Sequence, residues 1–427
     1  MSSKNFFKWL YFGLHIKRWL ALILIGVIFM ALGIAYLLKE AYEVFMFPEW
    51  VVTITLQWLP RWVRGLTFII FATSIILIGA WKLNHSMVST LLPNSKKNKV
   101  IDSIYETQTL KNGPKIAVIG GGTGMSMLLR GLKAYTSNLT AIITVADDGG
   151  SSGRLRKDLN ILPPGDIRAC ISALASAEPL VAELFEYRFE SSNEELAGHS
   201  LGNLLIAGMA EITGSMESGI QAISRVLDVR GTILPSTLED IKISAFSKNG
   251  NKILGESNIG NQHEPIETLN IEPNAPKAYE EAISAIHQAD AVIIGPGSLF
   301  TSILPNLLIP DILQAIIETK GIKIFITNVA TQHGETNEFS AFDHFEAIAR
   351  HTDSSHLFDI VLVNDESINK PFPNNINSEP VSIDIEKFPK NIQVIPAHLV
   401  NSENRYHHDS NLLAEYINNI IINKANI

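Results

Sequence analysis

KIAVIGGGTGMSMLLRGLK (115–133) is the stretch whose reading decides the fold. An apolar run ends in consecutive glycines and passes directly into helical spacing, so it reads as a strand, a tight turn and a helix. Glycine there lets backbone amides approach a ligand closely, and the helix N-terminus adds positive potential. Two related turns follow. TAIITVADDGGSSGRLRKD (140–158) puts Asp147 and Asp148 after the next apolar run. PPGDIRACISAL (163–174) puts Asp166 at a helix start, where N-capping is its expected geometry. Together the turns read as a site for a nucleotide or another phosphorylated ligand at the carboxyl edge of a parallel sheet.

Apolar strand-like runs recur at Lys115–Ile119, Ala141–Val145, Ala291–Ile294, Ile322–Thr327 and Ile360–Val363. Helical patterns lie between them at Met125–Ala134, Asp166–Ala175, Ser200–Ile212, Pro276–Gln288 and Phe339–Arg350. That alternation predicts an α/β fold: a parallel sheet with helices on both faces. Residues 231–272 read as a small β-rich insertion, 366–392 as a surface excursion, and SNLLAEYINNIIINKANI (410–427) as a closing amphipathic helix.

The formal charge of −9 is divided unevenly along the 427 residues. Residues 1–99 hold eleven Lys/Arg and three Asp/Glu, and the remainder holds twenty-three and forty. An acidic domain without a basic run argues against nucleic-acid binding. Cys170 is the only cysteine, which excludes an intramolecular disulfide and a CxxC metal site. Two uncharged apolar stretches, Trp19–Leu38 and Gly65–Trp81, predict two transmembrane helices. Lys4, Lys8, Lys17 and Arg18 precede the first, and Lys82, Lys96, Lys97 and Lys99 follow the second. This bias places both ends in the cytoplasm of a two-pass protein of the cytoplasmic membrane. The expected organisation is a membrane anchor over 1–83, a linker over 84–113 and a ligand-binding domain over 114–427.

Gly121, Gly122, Thr123 and Gly124 form the first candidate phosphate turn. It lacks the third glycine of a dinucleotide fingerprint, which disfavours a nicotinamide-dependent oxidoreductase, and it has no Gly-Lys-Ser/Thr for a P-loop. Asp147 and Asp148 lie where an acid of a dinucleotide fold reaches ribose hydroxyls. With Ser151 and Ser152 they also suit a divalent cation, magnesium being the candidate. Arg168 suits bidentate contact with a phosphate or carboxylate. GHSLGNLLIAGMA (198–210) adds His199, Gly202 and Asn203, with Ser200 as a helix cap. IGPGSLFTSILPNL (294–307) is a second cradling turn, with Gly295, Gly297, Ser298, Thr301 and Ser302. Asn328 ends the next strand, and Thr331, Gln332 and His333 follow as polar loop residues. No Ser-His-Asp nucleophile motif is apparent, so the inventory of hydroxyls and carboxylates favours positioning an anionic ligand over covalent catalysis.

In this order, GGGTGMSMLLRGL, VADDGGSSGRLR, PPGDIR, GNLLIAG, IGPGSLFTSILPNL and the NV–Q–GET loop resemble the CofD/YvcK-like family over roughly residues 114–400. That family unites 2-phospho-L-lactate transferases with gluconeogenesis factors that bind UDP-sugars. The DDGGSSGRLR form is closer to the second branch. The resemblance implies a Rossmann-like fold, a nucleotide-sugar ligand such as UDP-N-acetylglucosamine, and a regulatory role in cell-wall and carbon metabolism and in cell shape. The alternative it carries is a magnesium-dependent transferase using a nucleotide-activated donor. Asp166 lies in a segment similar to one lining the transferases' acceptor pocket. The apolar helices depart from the usual soluble member and imply action at a membrane surface. Protein partners and self-association stay open.

Overall fold

The computed structural model describes residues 25–31, 34, 35, 39, 48–54, 56, 58–91, 109–176, 179–190, 196–261, 264–365 and 378–425. The chain divides into two compact units, Met1–Val100 and Ile101–Ile427.

In the first unit a short helix α1 (Glu49–Ile54) precedes α2 (Arg61–Leu91), a continuous helix of 31 residues. Pro60 sits just before α2, where a missing amide costs nothing. Four consecutive residues, Phe68, Ile69, Ile70 and Phe71, are all exposed. Consecutive positions point around the helix, so α2 presents apolar side chains on every side rather than as one stripe. Thr67, Thr73 and Ser74 return their hydroxyls to carbonyls one turn back, at 2.7–2.9 Å. Among the described residues no single helix is long and apolar enough to cross a membrane, and the apolar part of α2 runs over Trp62–Ile76. Of the other apolar stretch expected to span, 25–31, 34 and 35 are described, and they are helical. The rest of 19–38 lies outside the described residues. Helix α2 runs past residue 83 into what the sequence suggested as linker, and 92–108 lie outside the described residues.

The second unit is built on seven parallel strands: β1 (Ile116–Gly120), β2 (Leu139–Ile143), β3 (Thr232–Pro235), β7 (Ala291–Ile294), β8 (Ile322–Ile326), β9 (Ile360–Asn364) and β10 (Gln393–Ala397). Their order is β10-β9-β8-β7-β1-β2-β3. The central strands β1, β7 and β9 are buried along their whole length, which is why their sequences are apolar runs, interrupted only at Asn364, rather than alternations. Val118 of β1 pairs with Ala141 on one side and Ile293 on the other.

Between the strands run α3 (Gly122–Leu132), α4 (Gly150–Leu159), α5 (Pro164–Leu174), α6 (Pro179–Glu186), α7 (Leu201–Thr213), α8 (Met216–Val226), α9 (Glu256–Gly260), α10 (Glu280–Gln288), α11 (Leu304–Leu307), α12 (Pro310–Glu318), α13 (Ala341–Thr352) and α14 (Ser410–Ala425). From β1 the chain winds one way to β3, then returns and winds the other way from β7 to β10. Right-handed crossovers in opposite directions put the two sets of helices on opposite faces. Helices α3, α5 and α7 pack together with α14 against α3, while α10 packs on α12 and α11 on α13.

Two expectations need correction. Residues 232–235 belong to the main sheet as its edge strand β3, because β3 pairs in parallel with β2. The insertion proper is a three-stranded antiparallel sheet, β4 (Lys242–Ser247), β5 (Lys252–Leu254) and β6 (Ile266–Glu272), with α9 between β5 and β6. Asp166 is not an N-cap. Pro163 takes that place with Pro164 as the first helical residue, which carries the carboxylate a turn inward. Ser200 does cap α7, accepting from the Asn203 amide at 3.2 Å.

Candidate functional site

The order in which strands are added reverses between the parallel neighbours β1 and β7, and their carboxyl ends carry the two glycine turns. In an open α/β sheet that switch point is where strand ends part and leave a crevice. Gly122 has φ +67°, a left-handed conformation that disfavours any Cβ. Gly124 faces the other turn so closely that a Cβ would lie 2.5 Å from the Pro296 carbonyl oxygen. The two turns are therefore nested. Asn306 ties them together by donating to the Gly120 carbonyl at 3.1 Å. Asn328 clamps the second turn, donating to the Gly297 carbonyl at 2.9 Å and accepting from its amide at 3.3 Å. After Ser298 the chain forms a π-helix (Leu299–Ile303), in which the Ser302 and Ile303 amides share the Ser298 carbonyl.

Around this point lies a cleft of about 590 Å³. Gly121, Gly122, Thr123 and Gly124 form its floor, and Gly297, Ser298, Thr301, Ser302 and Asn328 its opposite side. Asp147 and Asp166 also reach it. A larger groove of about 1220 Å³ lies between α4, the α7–α8 turn and the insertion. Besides Ala146, just after β2, it meets ends of the insertion strands at Lys242, Leu254 and Glu272, and the Arg156–Asp240 ion pair lines it.

Carboxylates crowd one wall of the cleft. Asp166 accepts from the Gly122 amide and lies directly against Gly121. Burial, then the charge of Asp147, push its carboxyl up to about 7. Burial also raises Asp147, although the Gly149 amide donates to it at 2.9 Å and Ser152 hydrogen-bonds it. Glu256, carried in on α9, is pushed up to about 8 by burial and by the charges of Asp147, Asp148, Asp166 and Glu335. Glu335 is buried and accepts from Ser298 Oγ, from the Phe300 amide at 3.2 Å and from Thr301 Oγ1 at 3.2 Å. Its own carboxyl is raised by burial.

Apart from Thr331 and Gln332, the remaining residues singled out from sequence are not among those lining the cleft. Asp148 turns to the insertion, accepting from the Glu256 and Ser257 amides at 3.1 and 2.9 Å and from Ser257 Oγ at 2.7 Å. Ser151, His199 and Asn203 form a buried chain: Ser151 Oγ bonds His199 Nδ1 and Asn203 Nδ2, each at 3.0 Å. Burial lowers the His199 imidazole. Arg168 pairs with Glu186. Gly202 lets α7 pass beside Phe185, where a Cβ would meet the Phe185 carbonyl. Gly295 shapes the β7 turn with φ +78°. Asp147 and Asp148 thus serve different partners, and among the described residues no three His, Cys, Asp or Glu side chains converge on a point that could hold a metal.

Sequence reasoning missed Glu256, Glu335, Tyr406, His407 and His408, all of which line the cleft together with Thr331 and Gln332. Glu335 lay inside the GET segment, read only as loop. Glu256 follows Gly255, but nothing local shows that α9 docks beside Asp148.

Fold and cleft together define a doubly wound α/β protein whose candidate site is built from two nested glycine turns at its switch point. Residues 116–400 match the family described as 2-phospho-L-lactate transferase CofD. The chain is 44% identical to the gluconeogenesis factor of Bacillus subtilis over 309 residues, spanning 71% of this chain and 97% of that one. A relative in Clostridium acetobutylicum, assigned provisionally to the same role, is 40% identical over 438 residues, covering 98% of this chain and 93% of its own. A crystal structure of a UPF0052-family protein from Bacillus halodurans superposes with a TM-score of 0.67 at 43% identity, over 71% of this chain and 98% of that one. This chain belongs to the CofD family, and the Bacillus subtilis relative is described as a gluconeogenesis factor and the Clostridium acetobutylicum one provisionally as one.

Proposed function

We propose that this protein is a membrane-tethered regulator that binds a nucleotide sugar, a UDP-sugar, in the switch-point cleft. The observation that carries this reading is the nesting of the Gly121–Gly124 turn against Pro296–Gly297. It brings two sets of backbone amides and the start of α3 to one cleft large enough for such a ligand. The hydroxyls of Ser298, Thr301 and Ser302 suit diphosphate or sugar oxygens. Asp147 suits ribose hydroxyls, which donate to a carboxylate. Positioning of the ligand rather than turnover is the reading favoured here, because the Ser298 and Thr301 hydroxyls are engaged by Glu335, which is itself held by the Phe300 amide.

Magnesium enters this reading with the diphosphate. Such an ion is commonly held by one or two carboxylates plus phosphate oxygens. Asp147 and Asp166 are the carboxylates that would meet it, whereas Asp148 is committed to α9. Tethering rests on the all-round apolar surface of α2 and the lysines flanking both apolar stretches, which favour a two-pass anchor with the α/β domain in the cytoplasm. Retention of the chain in the membrane pellet after alkaline carbonate washing supports the anchor, and release contradicts it.

A second reading, a transferase using a nucleotide-activated donor, is favoured by one observation: an Asp166 carboxyl raised to about 7 could exchange a proton near neutrality. Calorimetric titration of the full chain in detergent with UDP-N-acetylglucosamine, UDP-glucose, GTP and NAD tests the binding claim. Saturable binding of a UDP-sugar with the nucleotide recovered intact is expected. Binding of GTP or NAD alone contradicts it, and steady release of UDP or UMP moves the chain to the transferase reading.

A further inference from the structure

We propose that Glu335 is a positioning residue that sets the polarity of the second glycine turn. It closes a hydrogen-bonded ring with Ser298 and Thr301, and the ring leaves the Ser298 hydroxyl as an acceptor for an O–H or N–H of the bound sugar rather than a donor to phosphate. The proposal rests on the nucleotide-sugar reading of the cleft and adds the residues that select for the sugar.

Glu335, Ser298 and Thr301 all line the cleft, and three contacts join them. Ser298 Oγ bonds Glu335 Oε2, Thr301 Oγ1 bonds Glu335 Oε1 at 3.2 Å, and the two hydroxyls lie 2.5 Å apart. Both sides of the ring are held from behind. The Phe300 amide donates to Glu335 Oε2 at 3.2 Å, and the Ser298 carbonyl accepts from the Ser302 and Ile303 amides at 3.0 and 2.9 Å. The loop that carries Glu335 is folded on itself. The Glu335 amide donates to the Gln332 carbonyl at 3.1 Å, and the Gln332 amide donates to Thr336 Oγ1 at 2.9 Å.

A hydroxyl has one proton to give, and each contact of the ring uses one. With Glu335 ionised the ring holds two protons for three contacts, and the Thr301 proton is shared between Glu335 and Ser298. With Glu335 protonated it holds three protons for three contacts. In either state no hydroxyl proton is left for a ligand, so the outcome does not depend on the charge of Glu335. What remains on Ser298 Oγ is a lone pair. Thr301 and Glu335 are buried, whereas Ser298 is half-buried and is the member that a ligand reaches. A lone pair repels a phosphate oxygen and accepts from a hydroxyl or an amide. Ser298 follows directly on Gly297, beside the place the reading gives to the diphosphate. In a nucleotide sugar the sugar is joined to that diphosphate, while the base is set apart from it by the ribose. The sugar therefore supplies the donor, and phosphate is left to backbone amides.

Calorimetry of the full chain in detergent, with UDP-N-acetylglucosamine and UDP as paired probes, tests this. Ser298→Ala is expected to weaken binding of the sugar nucleotide about three- to tenfold more than binding of UDP. Equal losses for the two probes, or no loss for either, overturn the assignment. Glu335→Ala opens the ring and should show the same sugar-selective loss. Glu335→Gln keeps an oxygen for Ser298 and the Phe300 amide and presents a donor to Thr301, so the ring closes again and most of the loss is recovered. A Gln variant as weak as the Ala variant overturns the positioning role, as does an Ala variant that weakens both probes alike. Neutron diffraction from deuterium-exchanged crystals of the wild-type chain needs no substitution: the Ser298 deuteron should point to Glu335 or Thr301. A deuteron pointing into the cleft overturns the proposal even if the variants fail to fold. Failure of the unsubstituted chain to bind UDP-N-acetylglucosamine removes the nucleotide-sugar reading, and this inference with it. Sugar-nucleotide binding that ignores Ser298 removes this inference alone.

Discussion

The Asp166 carboxylate accepts a hydrogen bond from the backbone amide of Gly122. The protein thus supplies its own anion at the N-terminus of α3, where an incoming phosphate would also settle. Two anions there repel, and protonation of Asp166 relieves the conflict. In the absence of divalent cation, diphosphate affinity is therefore expected to fall several-fold as pH rises from 6 to 8, through the Asp166 value of about 7. Asp166→Asn should flatten that dependence. Titration of the two proteins with UDP at both pH values checks this, and parallel pH profiles contradict it.

The same crowding sets a stability profile. Asp166 and Glu256 bind protons more tightly when folded, at about 7 and about 8, than as free carboxyls. Where the folded state binds more protons, stability falls as pH rises. Burial lowers His199, His344, His351 and His408 instead, so their contribution is lost as pH falls below the ordinary histidine range. Thermal midpoints should therefore decline from pH 6.5 to 8.5, and Glu256→Gln should reduce the slope. Calorimetric scans across that range decide it.

Nesting of the turns makes Gly124 a packing residue. An added Cβ would meet the Pro296 carbonyl oxygen at 2.5 Å and force the turns apart. Gly124→Ala should cost about 2 kcal/mol in urea unfolding. Gly208, within α7, has open space around its Cβ position. There the same change should be neutral or stabilise by about 0.5–1 kcal/mol. Similar effects at both positions would argue against close contact of the turns.

Asp148 tethers the insertion by accepting from the first two amides and one hydroxyl of α9. Asp148→Asn should cost about 1 kcal/mol and speed hydrogen exchange locally at residues 256–260. It should also weaken ligand binding indirectly, because Glu256 rides on α9. Unchanged exchange in α9 would return Asp148 to the ligand.

The elements that sequence reading located are those whose signal is local. Strands β1 and β7 are unbroken apolar runs, β2, β8 and β9 are interrupted only at Thr140, Lys323 and Asn364, and glycine turns announce two of their ends. Gly121–Gly124 and Gly297–Ser302 stood out in the sequence because two turns that nest this closely need contiguous small residues. Strand β3 was not, since TILP is short and lies at a sheet edge with its first residue exposed. Strand β10 includes Pro396 and an exposed Gln393, which hid it too. Ser151, His199 and Asn203 looked like site residues because buried polar networks and binding sites use the same side chains. Glu256 and His408 went unseen because each reaches the cleft through long-range docking.

A crystal structure of the full chain with UDP-N-acetylglucosamine and magnesium tests the central claim most directly. The account expects the diphosphate over Gly121–Gly124 and beside Gly297–Ser298. A diphosphate lying in the groove between α4 and the insertion, with the Gly121–Gly124 amides facing solvent, would contradict it.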